Sequence, residues 1–228
     1  MHGRLIRKLD LEILLSQIKP HPSPKLSLEQ YTIPINIAAT VLYLAAYTYN
    51  DIVNKKVLDL GCGTGRLSLG AAFLGAKQVT GVDIDRTAVN IALKNSEETN
   101  LKKKVQWIVT DIETINGEFD TVVQNPPFGV QKRGADRKFL KKALDVGKRI
   151  YSLHKDLRKE KELIQKLRVN RTNIISVTPS SFIRKFVEKY DGRIRAVFAL
   201  KMSIPYMFDF HNKRTHEFIT DLYVIEKK

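Results

Sequence analysis

Short apolar runs alternate with helical stretches from residue 55 to the end of the chain. Seven runs predict strands, at 56–60, 78–83, 105–110, 121–124, 173–177, 194–200 and 218–225. Predicted helices lie at 67–74, 86–98, 137–149, 155–168 and 181–190. This alternation predicts an α/β fold with a mainly parallel sheet and helices on both faces. Because no clear helix separates the last two strands, this pair should form an antiparallel hairpin.

The residues before this pattern predict a helical extension. An amphipathic helix is expected at 4–18, with one apolar face formed by Leu5, Leu9, Ile13 and Leu14. The prolines of residues 19–24 should hold an extended strap, since each fixes its own φ and restricts its neighbour. A second helix is predicted at 35–49. We therefore expect an N-terminal helical extension and strap at 1–50 and a main domain at 51–228.

Composition limits the cellular setting and the partners. The chain carries 39 basic and 24 acidic residues, a net charge of +15, and such a field attracts polyanions. Cys62 is the single cysteine, which excludes a disulfide scaffold and favours the cytoplasm. We expect no metal site, because no histidine pair has ligand spacing. The apolar run at 35–49 is shorter than the ~20 residues of a membrane span, and acidic residues interrupt the N-terminal apolar run, so no signal peptide is expected.

A glycine-rich loop follows the first predicted strand. Gly61, Gly63 and Gly65 permit a tight turn and close approach to a ligand. The dinucleotide fingerprint would place a further glycine at Arg66, so the G-x-G-x-G spacing instead favours a ligand that carries an amino acid. Asp83 ends the second strand, where a carboxylate can bind both hydroxyls of a ribose. A turn between unrelated elements is the alternative for the glycines alone.

A further acid, Asp111, ends the third predicted strand and is followed by Ile112. The acid can accept from an exocyclic amine while the isoleucine packs on a purine. With Asp59, the glycines and Asp83, this ordered set resembles the S-adenosylmethionine-dependent methyltransferases. The resemblance implies a Rossmann-like class I methyltransferase with a seven-stranded, mostly parallel sheet and a C-terminal antiparallel hairpin, and S-adenosyl-L-methionine as cofactor.

A tetrapeptide after the fourth predicted strand is suited to binding a planar amine. Its prolines stiffen the turn and leave the Asn125 amide oxygen and the Pro126 carbonyl without strand partners. Two such acceptors can bind both hydrogens of one NH2 group and direct the nitrogen lone pair at an electrophile. Phe128 offers a face for stacking, worth ~1–3 kcal/mol per base. The segment matches the D/N-P-P-Y/F signature of amino-methyltransferases, so the predicted catalytic residues are Asn125, Pro126, Pro127 and Phe128.

The tetrapeptide leaves the substrate open. Adenine N6, guanine N2 and a protein glutamine side chain all present a planar amine, and phenylalanine at 128 favours bases over glutamine. Asn-Pro-Pro is also a good turn without chemistry.

Positive charge is concentrated directly after the tetrapeptide. Residues 131–168 contain 14 Lys or Arg and 5 Asp or Glu. A solvated helix face is the ordinary explanation, but its position favours a path for nucleic acid. The predicted RNA-binding residues, including three in the terminal hairpin loop, are Lys132, Arg133, Arg137, Lys138, Lys141, Lys142, His211, Lys213 and Arg214.

Three segments together, at 28–31, 125–129 and 150–155, resemble the methyltransferase-like protein 5 family of small-subunit rRNA adenine-N6 methyltransferases and their archaeal relatives. The resemblance extends from about Lys25 to the end of the chain. It implies that Gln30 and Thr32 lie over the cofactor. The full set of predicted cofactor-binding residues is Gln30, Thr32, Asp59, Gly61, Gly63, Thr64, Gly65, Arg66, Asp83, Asp111 and Ile112. The family also implies a small zinc-binding activator protein, paired along a sheet edge.

These patterns lead to one functional hypothesis, an S-adenosylmethionine-dependent N6-adenine methyltransferase acting on structured RNA, most of all ribosomal RNA. The alternatives are a guanine-N2 RNA methyltransferase, a protein glutamine methyltransferase and a non-catalytic RNA-binding protein.

Overall fold

Eight strands form a single sheet in the computed structural model, which describes residues 5–129, 134–155, 160–169, 172–205 and 215–228. The strands are β1 (Lys56–Leu60), β2 (Gln78–Asp83), β3 (Val105–Val109), β4 (Phe119–Gln124), β5 (Gly147–Lys155), β6 (Ile174–Ser176), β7 (Gly192–Pro205) and β8 (Thr215–Lys227). The helices are α1 (Lys8–Ser16), α2 (Ile35–Tyr43), α3 (Arg66–Phe73), α4 (Arg86–Glu98), α5 (Ala135–Val146), α6 (Glu160–Val169) and α7 (Ser181–Lys189).

The sheet has the order β3-β2-β1-β4-β5-β8-β7-β6. Strands β1 to β5 are parallel to one another, whereas β8 runs antiparallel to both β5 and β7, and β6 runs antiparallel to β7. The mostly parallel sheet and the antiparallel β7–β8 hairpin are confirmed. The predicted strand count of seven is wrong, because β5 adds an eighth strand.

Strand β5 is the element that the sequence pattern concealed. The helix predicted to reach 149 ends at Val146, and β5 pairs with β4 and β8 at the centre of the sheet. No turn separates helix from strand, and Lys148 and Arg149 continue the charge pattern of the helix. Gly147 marks the change, since a Cβ there would lie 2.5 Å from a methyl group of Val122. Of the helix expected at 155–168, Lys155 instead ends β5, residues 156–159 lie outside the described ranges, and the described helix is Glu160–Val169.

Helix α1 faces the core with a different stripe from the predicted one. Of the predicted apolar face, Leu14 is buried, but the other three residues, Leu5, Leu9 and Ile13, are exposed. The buried stripe is Leu11, Leu14, Leu15 and Ile18. Both sets have helical spacing, so periodicity alone could not choose between them. The contacts of α1 with α2 and α3 determine which stripe is buried. Helix α3 approaches closely, because a Cβ at Gly70 would meet side chains from both N-terminal helices.

The second N-terminal helix is confirmed as α2, which is extended by one π-helical turn over Leu44–Thr48. The strap at 19–24 contains neither helix nor strand. Side chains of α1 and α2 share a buried cluster with β1, β2 and α3. The division into an extension and a domain at residue 50 stays a prediction. Within the described ranges, every helix is too short or too polar to cross a bilayer.

The register of the parallel strands determines where the site forms. Leu60 pairs with Val82 on one side and with Gln124 on the other. Gly61 and Asn125, which follow β1 and β4, and Asp83, which ends β2, therefore lie at the same edge of the sheet. Carboxyl ends of parallel strands are the usual location of ligand sites in such sheets.

Candidate active site

A cavity of about 290 Å³ opens at this carboxyl edge of the sheet. Its walls come from residues 27–33, the glycine loop, the ends of β2 and β3, the tetrapeptide and the start of α5. The cavity brings together ten of the eleven predicted cofactor residues, namely Gln30, Thr32, Asp59, Gly61, Gly63, Thr64, Arg66, Asp83, Asp111 and Ile112.

The glycine loop is held by hydrogen bonds from its own backbone. The amides of Gly61 and Cys62 donate to the carbonyl oxygen of Val82, at 2.8 and 2.9 Å. Gly63 has φ +53° and open space where a Cβ would lie, so its backbone conformation, rather than crowding, favours glycine. At Gly63 the loop consequently presents bare backbone to the cavity, while Cys62 and Thr64 line it on either side.

Gly65, the eleventh predicted residue, lies behind the loop and does not line the cavity. It has φ +89° and precedes α3, and a Cβ there would lie 2.6 Å from the indole of Trp107. The same indole would lie 2.5 Å from a Cβ at Gly81. Gly65 therefore lets the loop pack on Trp107.

Asp83 lines the cavity and also organises the loop. Its Oδ2 accepts from the amide of Gly63 at 2.8 Å, and its Oδ1 accepts from the amide of Asp85 at 2.9 Å. Burial raises the pKa of Asp83, and these backbone hydrogen bonds oppose the rise. Each carboxylate oxygen can accept a second hydrogen bond. The side chain can thus bind ribose hydroxyls while it holds the loop in place.

The segment that follows β3 supplies another part of the cavity wall. Asp111 is exposed, and its Oδ1 accepts from the amide of Glu113 at 2.9 Å, which caps the short helix Ile112–Thr114. Ile112 is buried beside it. An acceptor beside an apolar surface suits an adenine ring.

The buried carboxyl group of Asp59 indicates whether a cationic ligand fits the cavity. It is buried on β1, its Oδ2 accepts from Ser68 Oγ at 2.6 Å, and its Oδ1 has no hydrogen-bond partner among the described residues. Burial raises the pKa of Asp59 to about 7, although the hydrogen bonds from Ser68 lower it. A buried acceptor without a partner, in the lining of the cavity, fits a ligand that carries an ammonium or sulfonium charge, as S-adenosylmethionine does.

We expect this carboxyl group to make stability depend on pH. Its pKa in the folded protein lies above the unfolded value of ~4, so the folded state binds the proton more tightly. Its stabilising contribution should be complete below about pH 4 and lost as the pH rises through 7. Urea unfolding of cofactor-free protein should show wild type losing stability relative to Asp59→Asn across that range. Parallel pH profiles for the two proteins would contradict the assignment.

Residues 19–31 are fastened over the cavity through Asp85, which sequence analysis did not single out. Asp85 is buried, and it caps α4 by accepting from the amide of Thr87. It also accepts from Lys25 Nζ at 3.1 Å and from Gln30 Nε2 at 2.8 Å, and His21 Nε2 lies 3.3 Å away. The D-x-T capping pattern was the only available signal, because the other partners are distant in sequence.

Arg66 fastens the next part of the extension. Its Nη1 donates to the carbonyl oxygen of Ile33 at 2.5 Å, and its Nη2 donates to that of Ile18 at 3.3 Å. Burial lowers the pKa of this guanidinium. Arg66 therefore has a structural role besides the predicted cofactor contact. It links Ile18, before the strap, and Ile33, after it, to the start of α3.

The tetrapeptide lies at the mouth of the cavity, with Asn125 and Pro127 in the lining and Phe128 beside it. The amide of Phe128 donates to Glu29 Oε2 at 2.7 Å, and Glu29 has φ +51°. The hydroxyl of Tyr31 donates to Asn125 Oδ1 at 3.4 Å. Pro126 is buried behind them. Glu29 and Tyr31 are therefore site residues that sequence analysis noted only as part of a family segment.

Aromatic contacts also hold the tetrapeptide. The ring of Phe128 lies 5.2 Å from that of Tyr31, tilted by 32°, and 5.8 Å from that of Phe218, edge to face. Burial raises the pKa of Tyr31 well above its usual value, so its hydroxyl remains a donor. Phe128 is half-buried by these rings.

A series of polar side chains next to the tetrapeptide connects β4 with β5. Gln124 Nε2 donates to Ser152 Oγ at 2.8 Å, and Ser152 Oγ lies 2.8 Å from His154 Nε2. Burial lowers the pKa of His154 to about 4, so this ring is neutral at physiological pH. Sequence analysis noted Ser152 and His154 only as part of the family segment at 150–155, and their link to Gln124 was not predicted because β5 itself was missed.

Four of the predicted RNA-binding residues lie on α5, beside the cavity. Lys138 lines the cavity and pairs with Glu113 at 3.2 Å, and Lys142 Nζ donates to the carbonyl oxygen of Ile115. Arg137 and Lys141 lie over aromatic rings of α7 and of the residue that follows it. The other five, Lys132, Arg133, His211, Lys213 and Arg214, lie outside the described ranges.

Five parallel strands with a glycine loop after the first, joined to a C-terminal antiparallel hairpin, define a class I S-adenosylmethionine-dependent methyltransferase. Magnesium protoporphyrin IX methyltransferase of Synechocystis, solved with bound cofactor, has this fold, with a TM-score of 0.59 at 16% identity over 100% of both chains. Sequence likeness is more specific. The chain belongs to the METTL5 family.

A METTL5 protein shows this membership, and a solved structure is similar over nearly the whole chain. The rRNA N(6)-adenosine-methyltransferase METTL5 of Danio rerio is 33% identical over 93% of this chain and 95% of its own length. PH1948 of Pyrococcus horikoshii, a candidate RNA methyltransferase, has a TM-score of 0.81 at 37% identity, covering 97% of this chain and 98% of that one. The sequence model of the ribosomal protein L11 methyltransferase (PrmA) family matches residues 37–126.

Proposed function

We propose that this chain transfers methyl groups to adenine N6 in structured RNA, with small-subunit ribosomal RNA as its substrate. The observation that carries the proposal is the tetrapeptide, which Glu29 and Tyr31 hold at the mouth of the cofactor cavity. The basic face of α5 begins at the same mouth. The METTL5 relatives are rRNA N(6)-adenosine-methyltransferases, which supports adenine over guanine.

The chemistry follows from the acceptors of the turn. When bound, S-adenosylmethionine supplies an electrophilic methyl group. Asn125 Oδ1 and the Pro126 carbonyl accept the two hydrogens of the target amine, which directs the nitrogen lone pair at that methyl group. Tyr31 donates to Asn125 Oδ1, which places the amide oxygen rather than its NH2 toward the hydroxyl. The N–CH3 bond would form as the methyl–sulfur bond breaks and leaves its electron pair on sulfur, and the methylated nitrogen would then lose a proton to solvent, so no strong base is needed.

The direct test is the identity of the methylated product. Ribosomal RNA from cells that lack the protein is incubated with purified enzyme and S-adenosylmethionine carrying a labelled methyl group, and the RNA is then digested to nucleosides. Mass spectrometry should find the label in N6-methyladenosine. Label in N2-methylguanosine, or in glutamine of ribosomal proteins, would overturn the proposal in favour of one of the alternatives.

Binding of RNA should weaken steeply with salt, because Lys and Arg side chains release counterions from the phosphates that they bind. The double variant Arg137→Glu, Lys141→Glu should lower the slope of log K against log salt by about one unit for each phosphate that is no longer bound. The matched control is Lys103→Glu, Lys104→Glu. It reverses two charges directly before β3, at the amino ends of the strands and opposite the carboxyl edge that carries the cavity. Equal slopes for the two variants would remove α5 from the RNA path.

The family further suggests a small zinc-binding activator, which we propose pairs with β3, an outer strand of the described sheet. Pairing would protect backbone amides of Val105–Val109 from hydrogen exchange when such a protein from the same organism is added. Unchanged exchange throughout β3 would contradict this partner site. The cytoplasmic location expected from Cys62 stays a prediction.

A further inference from the structure

Three aromatic side chains form a ladder along helix α7 and the residue after it. Phe182, Phe186 and Tyr190 follow at spacings of four residues, and their ring centroids lie 6.3 and 5.0 Å apart. Eight residues of helix span about 12 Å. We call these three residues the aromatic ladder.

The ladder is not simply part of the core. Phe186 and Tyr190 are half-buried and pack against the buried cluster under α5 and α7, whereas Phe182 is 53% exposed. Core packing thus explains the two inner rings of the ladder. It leaves the first ring, Phe182, facing solvent.

Cations contact the first and the last ring of the ladder. The guanidinium of Arg137 lies 5.9 Å from the Phe182 centroid, and the ammonium groups of Lys141 and Lys189 lie 5.8 and 5.6 Å from that of Tyr190. Helices α5 and α7 together carry seven Lys or Arg and three Asp or Glu. The face formed by the two helices is therefore basic as well as aromatic, which suits a polyanion with flat rings.

The exposed end of this face lies next to the site. Phe182 belongs to the first turn of α7, which Ser180 caps by accepting from the amide of Ile183. It meets Arg137, in the first turn of α5, and the next residues of that helix, Lys138 and Phe139, line the cavity. An RNA strand that leaves the mouth of the cavity along α5 would therefore reach Phe182 within one turn of the helix.

We propose that the α5–α7 face binds the single-stranded RNA that flanks the target nucleotide, with one base stacked on Phe182. Arg137 and Lys141 contact the phosphates on either side. This inference rests on the proposed function, because it extends the substrate of the same site. A flipped or bulged target leaves neighbouring bases unpaired, and an exposed ring binds any base by its face.

The test uses the full chain and a fluorescein-labelled, mixed-sequence single-stranded RNA of about 12 nucleotides. Phe182→Ala should weaken its binding about tenfold, and Phe182→Trp should restore it. Because stacking releases no counterions, Phe182→Ala should leave the salt slope unchanged, whereas Arg137→Gln should lower it by about one unit. The matched duplex, whose bases are already stacked, should bind Phe182→Ala and wild type equally. Leu93→Ala, an exposed apolar position on α4, is the control and should change nothing.

Two results would overturn the inference, and both differ from a failure of the proposed function. The first is equal affinity of Phe182→Ala and wild type for single-stranded RNA, while the enzyme still forms N6-methyladenosine. This result would show that the aromatic ladder does not bind RNA, and the proposed function would remain supported. Loss of binding to an acidic peptide in Phe182→Ala, with RNA binding intact, would assign the face to a protein. Absence of any adenosine methylation by wild type would instead refute the proposed function itself.

Discussion

Replacing Asn125 with alanine should lower the rate of methyl transfer by roughly 10²–10³-fold, the usual effect of removing one preorganised hydrogen-bonding group from a catalytic site. The variant loses the side-chain acceptor for the target amine and keeps only the Pro126 carbonyl. Cofactor affinity should change little, because the contact shown for the Asn125 side chain is with Tyr31 rather than with the glycine loop, Asp83 or Asp111. Turnover is measured with a labelled methyl group, and cofactor affinity by calorimetric titration.

Two variants separate this chemical role from a structural one. Tyr31→Phe keeps the ring beside Phe128 and removes only the hydroxyl that donates to Asn125, so its rate should fall less than that of Asn125→Ala. Asn125→Asp keeps an acceptor oxygen at the same place and should retain part of the activity. A wild-type rate for Asn125→Ala would remove the tetrapeptide from the mechanism.

Replacing Asp83 with alanine should weaken cofactor binding by roughly tenfold if one hydrogen bond is lost, and by up to about 10⁴-fold if two are lost. The expected loss is one or two charge-assisted hydrogen bonds to the ribose, each worth roughly 1.5–3 kcal/mol. The structure adds a second cause, because Asp83 also accepts from the amides of Gly63 and Asp85. Without the carboxylate, the glycine loop loses one of the hydrogen bonds that hold its conformation. Calorimetric titration with S-adenosylmethionine measures the effect.

The matched control is Asp111→Ala. Asp111 lines the same cavity, but it is exposed, and the hydrogen bond that it accepts within the protein comes from Glu113. Its replacement should therefore cost less cofactor affinity than that of Asp83. Circular dichroism shows whether each variant is folded. If Asp83→Ala bound the cofactor as tightly as wild type, the carboxylate could not hold the ribose.

The sequence predicted those parts of the site that depend on local pattern. Strands β1 to β4 end in or are closely followed by a glycine, an acid or an Asn-Pro turn, and the order and spacing of these residues along the chain predict both the loop and the tetrapeptide. Strand β5 was missed because Gly147 joins it to α5 without a turn. Helix α1 carries two apolar stripes, and only its contacts with α2 and α3 show which one is buried.

The contacts across the cavity could not be predicted, since they join distant parts of the chain. Glu29 accepts from an amide 99 positions away, and Tyr31 donates to a residue 94 positions away. The chain's local pattern contains no sign of either pairing. The family resemblance drew attention to the segment at 28–31, but it assigned the cofactor contact to Gln30, whose amide here bonds to Lys25 and Asp85.

The construction of the cavity from two distant parts of the chain has a thermodynamic consequence. Residues 27–33 form one wall and the strand ends form another, with Arg66 and Asp85 as fasteners between them. A ligand that fills the space touches both walls and so acts as a further fastener. At a concentration one hundredfold above its Kd, such a ligand adds about 2.7 kcal/mol to the free energy of unfolding. Ligand binding at the cavity should therefore also stabilise the N-terminal helices, including α1, against unfolding.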